Sequence, residues 1–231
     1  MLFHVVSLAK PVLEKAQSLI NAVGEGQRAC VNNTLVSCTS KIEMFRVTGL
    51  GRPTVLVDTP GFGSKEDIEI FTDIISWLTD SNIKLAGIVC LLRITDNRIT
   101  NTYLSTFRTI GCMVGEDMVA NVVVVTTMWD DSKGTNELYS MREDELRKLY
   151  LKVNTFMRLG KNHANDFAAS ARGIVDEVLR QPPFSLLEVQ REMKEKGISF
   201  SQTKTRKSIR KEGDSKGTRG LIARLKGYFR A

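Results

Sequence analysis

The chain has 231 residues, 42% of them hydrophobic and 26% charged, with a net charge of +7. That length and apolar content suit one α/β domain with an appendage, and they exclude a low-complexity chain. No apolar run approaches the roughly 18–20 uncharged residues of a membrane-spanning helix. No basic-then-apolar leader opens the sequence, and the four cysteines lack CxxC spacing, so a reducing, cytoplasmic setting is expected.

The first segment, LFHVVSLA (Leu2–Ala9), reads as a strand and leads into a turn of Lys10, Pro11, Val12, Leu13, Glu14 and Lys15. A helix follows, ending in LINAVGEG. KIEMFRVTG (Lys41–Gly49) alternates apolar and polar residues, as an edge strand does. Three continuous β-branched runs come next: TVLVD (Thr54–Asp58), LAGIVCLLRI (Leu85–Ile94) and NVVVVTTMWD (Asn121–Asp130). Such runs are strands buried on both faces, which means a parallel sheet covered by helices. Cys90 lies inside the second run and reads as a small core residue.

Helical periodicity fills the gaps. DIEIFTDIISWLTD (Asp67–Asp80) puts Ile70, Ile74, Trp77 and Leu78 on one stripe, and NTYLSTFRTIG (Asn101–Gly111) is expected to stop at Gly111. One long charged helix is expected over Asn136–Gly160 and another over Ser170–Arg180, broken by Pro182 and Pro183. Strand alternating with helix predicts a doubly wound, mostly parallel α/β fold over residues 1–190.

Residues 191–231 form a basic extension, with 13 Lys/Arg against 4 Asp/Glu, leaving 20 against 22 in the remainder. FSLLEVQREMKEKG is expected to be helical, Ile198–Arg219 loosely structured, and RGLIARLKGYFRA an amphipathic helix. Cations around that apolar stripe suit an anionic membrane surface, at about 1 kcal/mol per Lys or Arg. The bland reading is a solvated tail or a helix packed back on the domain. Nucleic acid is not expected, because aromatics are nearly absent before Tyr228 and Phe229. Two histidines, His4 and His163, do not build a zinc site with these cysteines.

Chemistry concentrates where strands end, since ligands of a parallel sheet sit beyond the carboxyl ends of its strands. DTPGFG (Asp58–Gly63) offers a carboxylate, Asp58, that reaches Mg²⁺ through water, then Thr59, then Gly61, whose amide approaches a terminal phosphate without a Cβ in the way. The bland alternative is a turn leaving a strand. At the end of the third run, Thr127 and Asp130 are placed to read a base; a carboxylate there accepts hydrogen bonds from guanine N1–H and the exocyclic amine. Asp130 as a simple helix cap is the alternative. Thr39, in SCTS (Ser37–Ser40), is placed for Mg²⁺ and phosphate, and Ser170 and Ala171, in FAASA, for a small turn offering backbone amides to guanine.

Taken in order, SCTS, DTPGF, RITDNRIT, VVTTMWDD and FAASA resemble the AIG-type or GIMAP-like G proteins, septin-related P-loop GTPases, and especially their fungal branch. The resemblance covers about Leu19–Gln190. It implies GTP or GDP with Mg²⁺ as ligands and slow GTP hydrolysis as the reaction, with Thr39 and Gly61 in the two switches. Asp58 and Thr39 would serve the metal; Asp130, Thr127, Ser170 and Ala171 would hold the base. It departs from that family at the phosphate loop, GxxxxGK[ST]. Aligning SLIN (Ser18–Asn21) with the family puts Lys10 and Lys15 on the glycines, Ala16 on the lysine and Gln17 on the metal-binding hydroxyl. A nest of inward-turned amides resists non-glycine residues, and Pro11 removes one donor. Two readings follow: a GTPase with weakened nucleotide binding, in which dimer contacts across the nucleotide face supply what catalysis lacks, or a non-catalytic module acting through partners.

Overall fold

The computed structural model describes residues 3–9, 13–24, 42–60, 67–80, 85–96, 101–115, 120–130, 135–149, 153, 155–160, 167–184 and 186–210. Among the described residues six strands form one sheet: β1 (Phe3–Ala9), β2 (Glu43–Val47), β3 (Thr54–Asp58), β4 (Leu85–Arg93), β5 (Val122–Thr127) and β6 (Thr155–Arg158), in the order β2-β3-β1-β4-β5-β6. β2 runs antiparallel to β3 at the edge, as its alternation predicts, and the other pairings are parallel. The fold is thus the doubly wound α/β class expected. Five strands therefore point their C-terminal ends at one edge.

The continuous apolar runs are explained by two cores. Val55, Val57, Ile88, Cys90, Leu92, Val122 and Val124 face one layer of helices, while Leu56, Ala86, Val89, Leu91, Val123 and Val125 face the other. The first layer holds α2 (Asp67–Asp80), α3 (Asn101–Val114) and α4 (Asn136–Leu149); the second holds α1 (Leu13–Val23) and α5 (Phe167–Arg180). Strand residues that alternate between faces must be apolar on both, so period-two polarity disappears.

Three expectations are corrected. The helix predicted over Asn136–Gly160 ends at Leu149, and the chain then supplies β6, a strand edge-paired only to β5 among the described residues. Thr155, Phe156 and Met157 lie beside Val123, Val124 and Val125 there, so tertiary pairing overrides the helical charge pattern. Gly111 lies inside α3; the stop is Gly115, at φ +89°, whose N–H reaches the Gly111 carbonyl at 3.0 Å.

The third correction concerns the extension. After α6 (Glu188–Lys194), which packs on α3, a 3₁₀ turn at Phe200–Gln202 packs on α7 (Lys204–Arg210), and α7 packs on α3, so residues 198–210 are not a loose tail. Their polar residues bond to one another: Glu192 Oε2 accepts from the Lys204 amide at 2.9 Å, and Ser208 Oγ donates to Thr109 Oγ1 at 3.1 Å. The amphipathic segment 219–231 lies outside the described residues.

Candidate functional site

The site candidates gather at the C-terminal edge of the sheet. Asp58 closes β3 and Thr127 closes β5, and β1 and β4 lie between them. Three strand spacings of about 4.8 Å separate β3 from β5, and by the pairing register Asp58 is level with Val123, so Thr127 extends four residues further along the strands. β1 lies at the switch point of the strand order, where such sheets bind ligands. Asp58 and Thr59 are both buried, and Asp58 pairs in register with Ser7 and Glu43. Thr39 and Gly61 lie outside the described residues.

At the β5 end, the chain turns through Met128 at φ +65°, a left-handed conformation that non-glycine residues rarely adopt. That turn sends Trp129 back into the core and leaves Asp130 exposed. Among the described residues no group bonds the Asp130 carboxylate. Thr127 was expected to contact nucleotide, but its hydroxyl donates to the Leu92 carbonyl at 3.3 Å and its own carbonyl accepts from Ile94 N–H at 3.0 Å. Thr127 thus fastens the turn to β4.

The β6 end comes alongside. Leu159 N–H donates to the Thr126 carbonyl at 2.9 Å, and Gly160 follows at φ +75°. A Cβ on Gly160 would lie 3.1 Å from the Phe167 ring and 3.7 Å from Asp130 Oδ2, so this glycine adjoins the free carboxylate. Ser170 and Ala171 were expected in a turn; they form the first turns of α5 instead. Ser170 Oγ donates to the Arg158 carbonyl at 3.0 Å and accepts from Gly160 N–H at 3.3 Å. Ala171 is fully buried against α1 and the sheet. The loop beside Asp130 is therefore Leu159–Gly160, with Ser170 as its brace.

Beneath these two turns lies a polar cluster that sequence reasoning did not single out. Glu143 of α4 is 2% exposed. Thr126 Oγ1 donates to its Oε1 at 2.9 Å, and Arg158 donates from Nε at 3.0 Å and Nη2 at 2.6 Å to its Oε2. Trp129 Nε1 donates to Thr126 Oγ1 at 3.0 Å, and the Arg158 guanidinium stands 4.2 Å from the Trp129 ring centroid. Burial pushes the Glu143 carboxyl up, but the hydrogen bonds from Arg158 and Thr126 and the charges of Arg158 and Arg147 outweigh it and hold the group below the usual glutamate range. The available signal was the acidic position at the apolar spacing of α4, between Tyr139 and Leu146.

The phosphate side is different. Between Ala9 and Leu13 the chain has three residues, Lys10 to Val12. A phosphate loop needs a glycine-to-glycine span of about six residues before its lysine. Ala16 and Gln17, on the positions of that lysine and its following hydroxyl, are buried in α1. Among the described residues no group of three or more His, Cys, Asp or Glu could hold a metal ion. Ala16 and Gln17 thus offer neither the ammonium nor the hydroxyl of that loop, and residues 10–12 lie outside the described residues.

No protein-family model and no curated protein matches the chain. Solved structures do. Toc33 from Arabidopsis thaliana, in complex with Mg²⁺ and GMPPNP, is 17% identical at a TM-score of 0.59, covering 78% of this chain and 85% of its own. A structure of the chloroplast translocon components atToc33 and psToc159, whose GTPase activity is described as depending on dimerization, gives 16% and 0.62 over 78% and 84%. Era from Aquifex aeolicus, bound to GDP·AlF4⁻, gives 15% and 0.51; the match spans 80% of this chain and 58% of Era. Strand order, the antiparallel edge and these neighbours agree: the chain has the G-domain fold of the P-loop GTPases.

Proposed function

We propose that the chain is a guanine-nucleotide-binding G-domain protein that grips the base and holds the phosphates weakly. The observation that carries this reading is the open carboxylate of Asp130 beside Gly160, at the strand edge where G domains receive their ligand. A carboxylate there accepts from guanine N1–H and the exocyclic amine, and adenine supplies no such pair. Each charge-assisted bond contributes about 1.5–3 kcal/mol. The AIG-type kinship belongs to this proposal and is supported by the motif order.

Because the β1–α1 connection is short and Ala16 and Gln17 are buried, hydrolysis is expected to be slow or lost. A homodimer across the nucleotide face would be one source of missing groups, and the dimerization reported for the chloroplast components supports it. The same short connection favours a second reading, a non-catalytic interaction module, with the basic tail on an anionic membrane surface.

Titration of the full chain with fluorescent guanosine, GMP, GDP and GTP analogues, with and without Mg²⁺, separates them. The expected result is saturable binding that varies less than about tenfold across the series, since a phosphate loop would add several bonds of about 1.5–3 kcal/mol. Asp130→Asn should weaken guanine binding and improve binding of xanthine nucleotides, whose O2 accepts from the new amide. Absence of saturable binding in the whole series establishes the interaction module instead.

A further inference from the structure

We propose that Glu143 is a positioning residue for base recognition. It fastens the β5 turn that carries Asp130 to the β6 turn that carries Gly160, and so sets the width of the slot between them. This inference rests on the guanine-binding reading above.

The geometry is that of a clamp driven from α4. Glu143 Oε1 takes the Thr126 hydroxyl of β5 and, at 3.2 Å, Arg158 Nε, while Oε2 takes Nε and Nη2 of Arg158, the last residue of β6. A second strut runs in parallel, with the Arg158 guanidinium over the Trp129 ring and Trp129 Nε1 bonded back to Thr126. Asp130 directly follows Trp129, and Gly160 lies two residues beyond Arg158. A tilt of the indole or the guanidinium is therefore carried to the residues that face the base.

Stability alone does not call for this arrangement. A buried ion pair is close to break-even against a well-packed apolar pair of similar volume. What a directed network adds is a single geometry, because each oxygen is committed to a named donor. Such commitment matters where a carboxylate must meet two purine donors within about half an ångström.

The experiment compares the full chain with Glu143→Gln and Thr126→Val in a Trp77→Phe background, where Trp129 is the remaining tryptophan. Far-UV circular dichroism establishes that each variant folds. Affinities for guanosine and inosine diphosphates are then measured with Trp129 emission. The parent should prefer guanosine by about 10- to 100-fold, the contribution of one charge-assisted bond to the exocyclic amine. Both variants should bring that ratio towards parity and shift the Trp129 emission. If Glu143→Gln does not fold, Thr126→Val, which keeps the ion pair and removes the hydroxyl that joins both Glu143 and Trp129 to β5, decides. Weakening of both nucleotides at an unchanged ratio would overturn the proposal while leaving guanine binding intact. No guanosine preference in the parent would overturn it together with the reading on which it rests.

Discussion

Gly160→Ala is the sharpest single test of the site geometry. Gly160 stands at φ +75°, where an alanine costs about 1–2 kcal/mol. Its Cβ would arrive 3.1 Å and 3.4 Å from two atoms of the Phe167 ring, so that half-buried ring must yield by a few tenths of an ångström. The backbone cost alone lowers Tm by about 2–8 °C for a chain of this size. The same methyl would lie 3.7 Å from Asp130 Oδ2, in the space beside the carboxylate that a base edge needs, so guanine affinity should fall more than stability predicts. Gly111→Ala is the matched control: Gly111 is inside α3 with nothing within 4 Å of its Cβ position, and alanine there should stabilise by roughly 0.5–1 kcal/mol. Differential scanning fluorimetry reads both Tm values, and nucleotide titration reads the site. If the two alanines shift Tm in the same direction, or if Gly160→Ala binds guanine nucleotide like the parent, the reasoning is refuted.

Gly87→Ala should be among the most damaging small substitutions, because its Cβ would lie 2.6 Å from the Asn121 carbonyl and 2.6 Å from Val178 Cγ1. A cost of at least about 1–3 kcal/mol follows, read as a lower urea midpoint. The Glu143 carboxyl titrates below its ordinary 4.5 in the folded chain, so its stabilisation is complete above that value and is lost as pH falls through the folded one. Acid unfolding of Glu143→Gln should lack this component, and an unchanged acid limb would contradict the clamp. Burial pushes the Cys90 thiol up, so the nucleophilic thiolate is suppressed and Cys90 should resist iodoacetamide until the chain unfolds, as peptide mapping would show.

The parallel strands were legible because their physics is local and redundant. TVLVD, LAGIVCLLR and VVVVTT carry the uninterrupted apolar stretches VLV, LAGIVCLL and VVVV, and a strand covered on both faces needs such a run. β2 was legible for the opposite reason: its exposed Glu43, Met44 and Arg46 accompany buried Phe45 and Val47, as an edge strand requires. β6 was hidden because it is short, half-buried and continuous with a charged helix, so its signal came from pairing with β5 and not from its own pattern. The helix α6 was legible in FSLLEVQREMKEKG, but the ordered stretch from Ile198 to Arg210 was hidden more deeply. Thr203, Thr205 and Ser208 are buried, yet composition reads Ser and Thr as solvent-seeking; hydroxyl bonds such as Ser208 to Thr109 and Ser208 to the Thr205 carbonyl need partners that only the fold brings near.

The same contrast separates the two halves of the site. The exposed position of Asp130 follows from the buried run that precedes it, whereas Ser170 and Ala171, which composition reads as a turn, belong to a helix that braces one. On the phosphate side, lysines and a proline stand where the resembled family has glycines, and three residues separate Ala9 of β1 from Leu13 of α1. An anion held by amides requires chain length as well as glycine, since a nest needs several consecutive N–H groups turned towards one point. A base held by a side chain requires only that two turns keep their distance. Under the proposed guanine reading, Gly160, Ser170 and the Glu143 cluster would serve the second device. Base recognition and phosphate binding thus call on different parts of a G domain, so titration across guanosine, GMP, GDP and GTP tests the two separately.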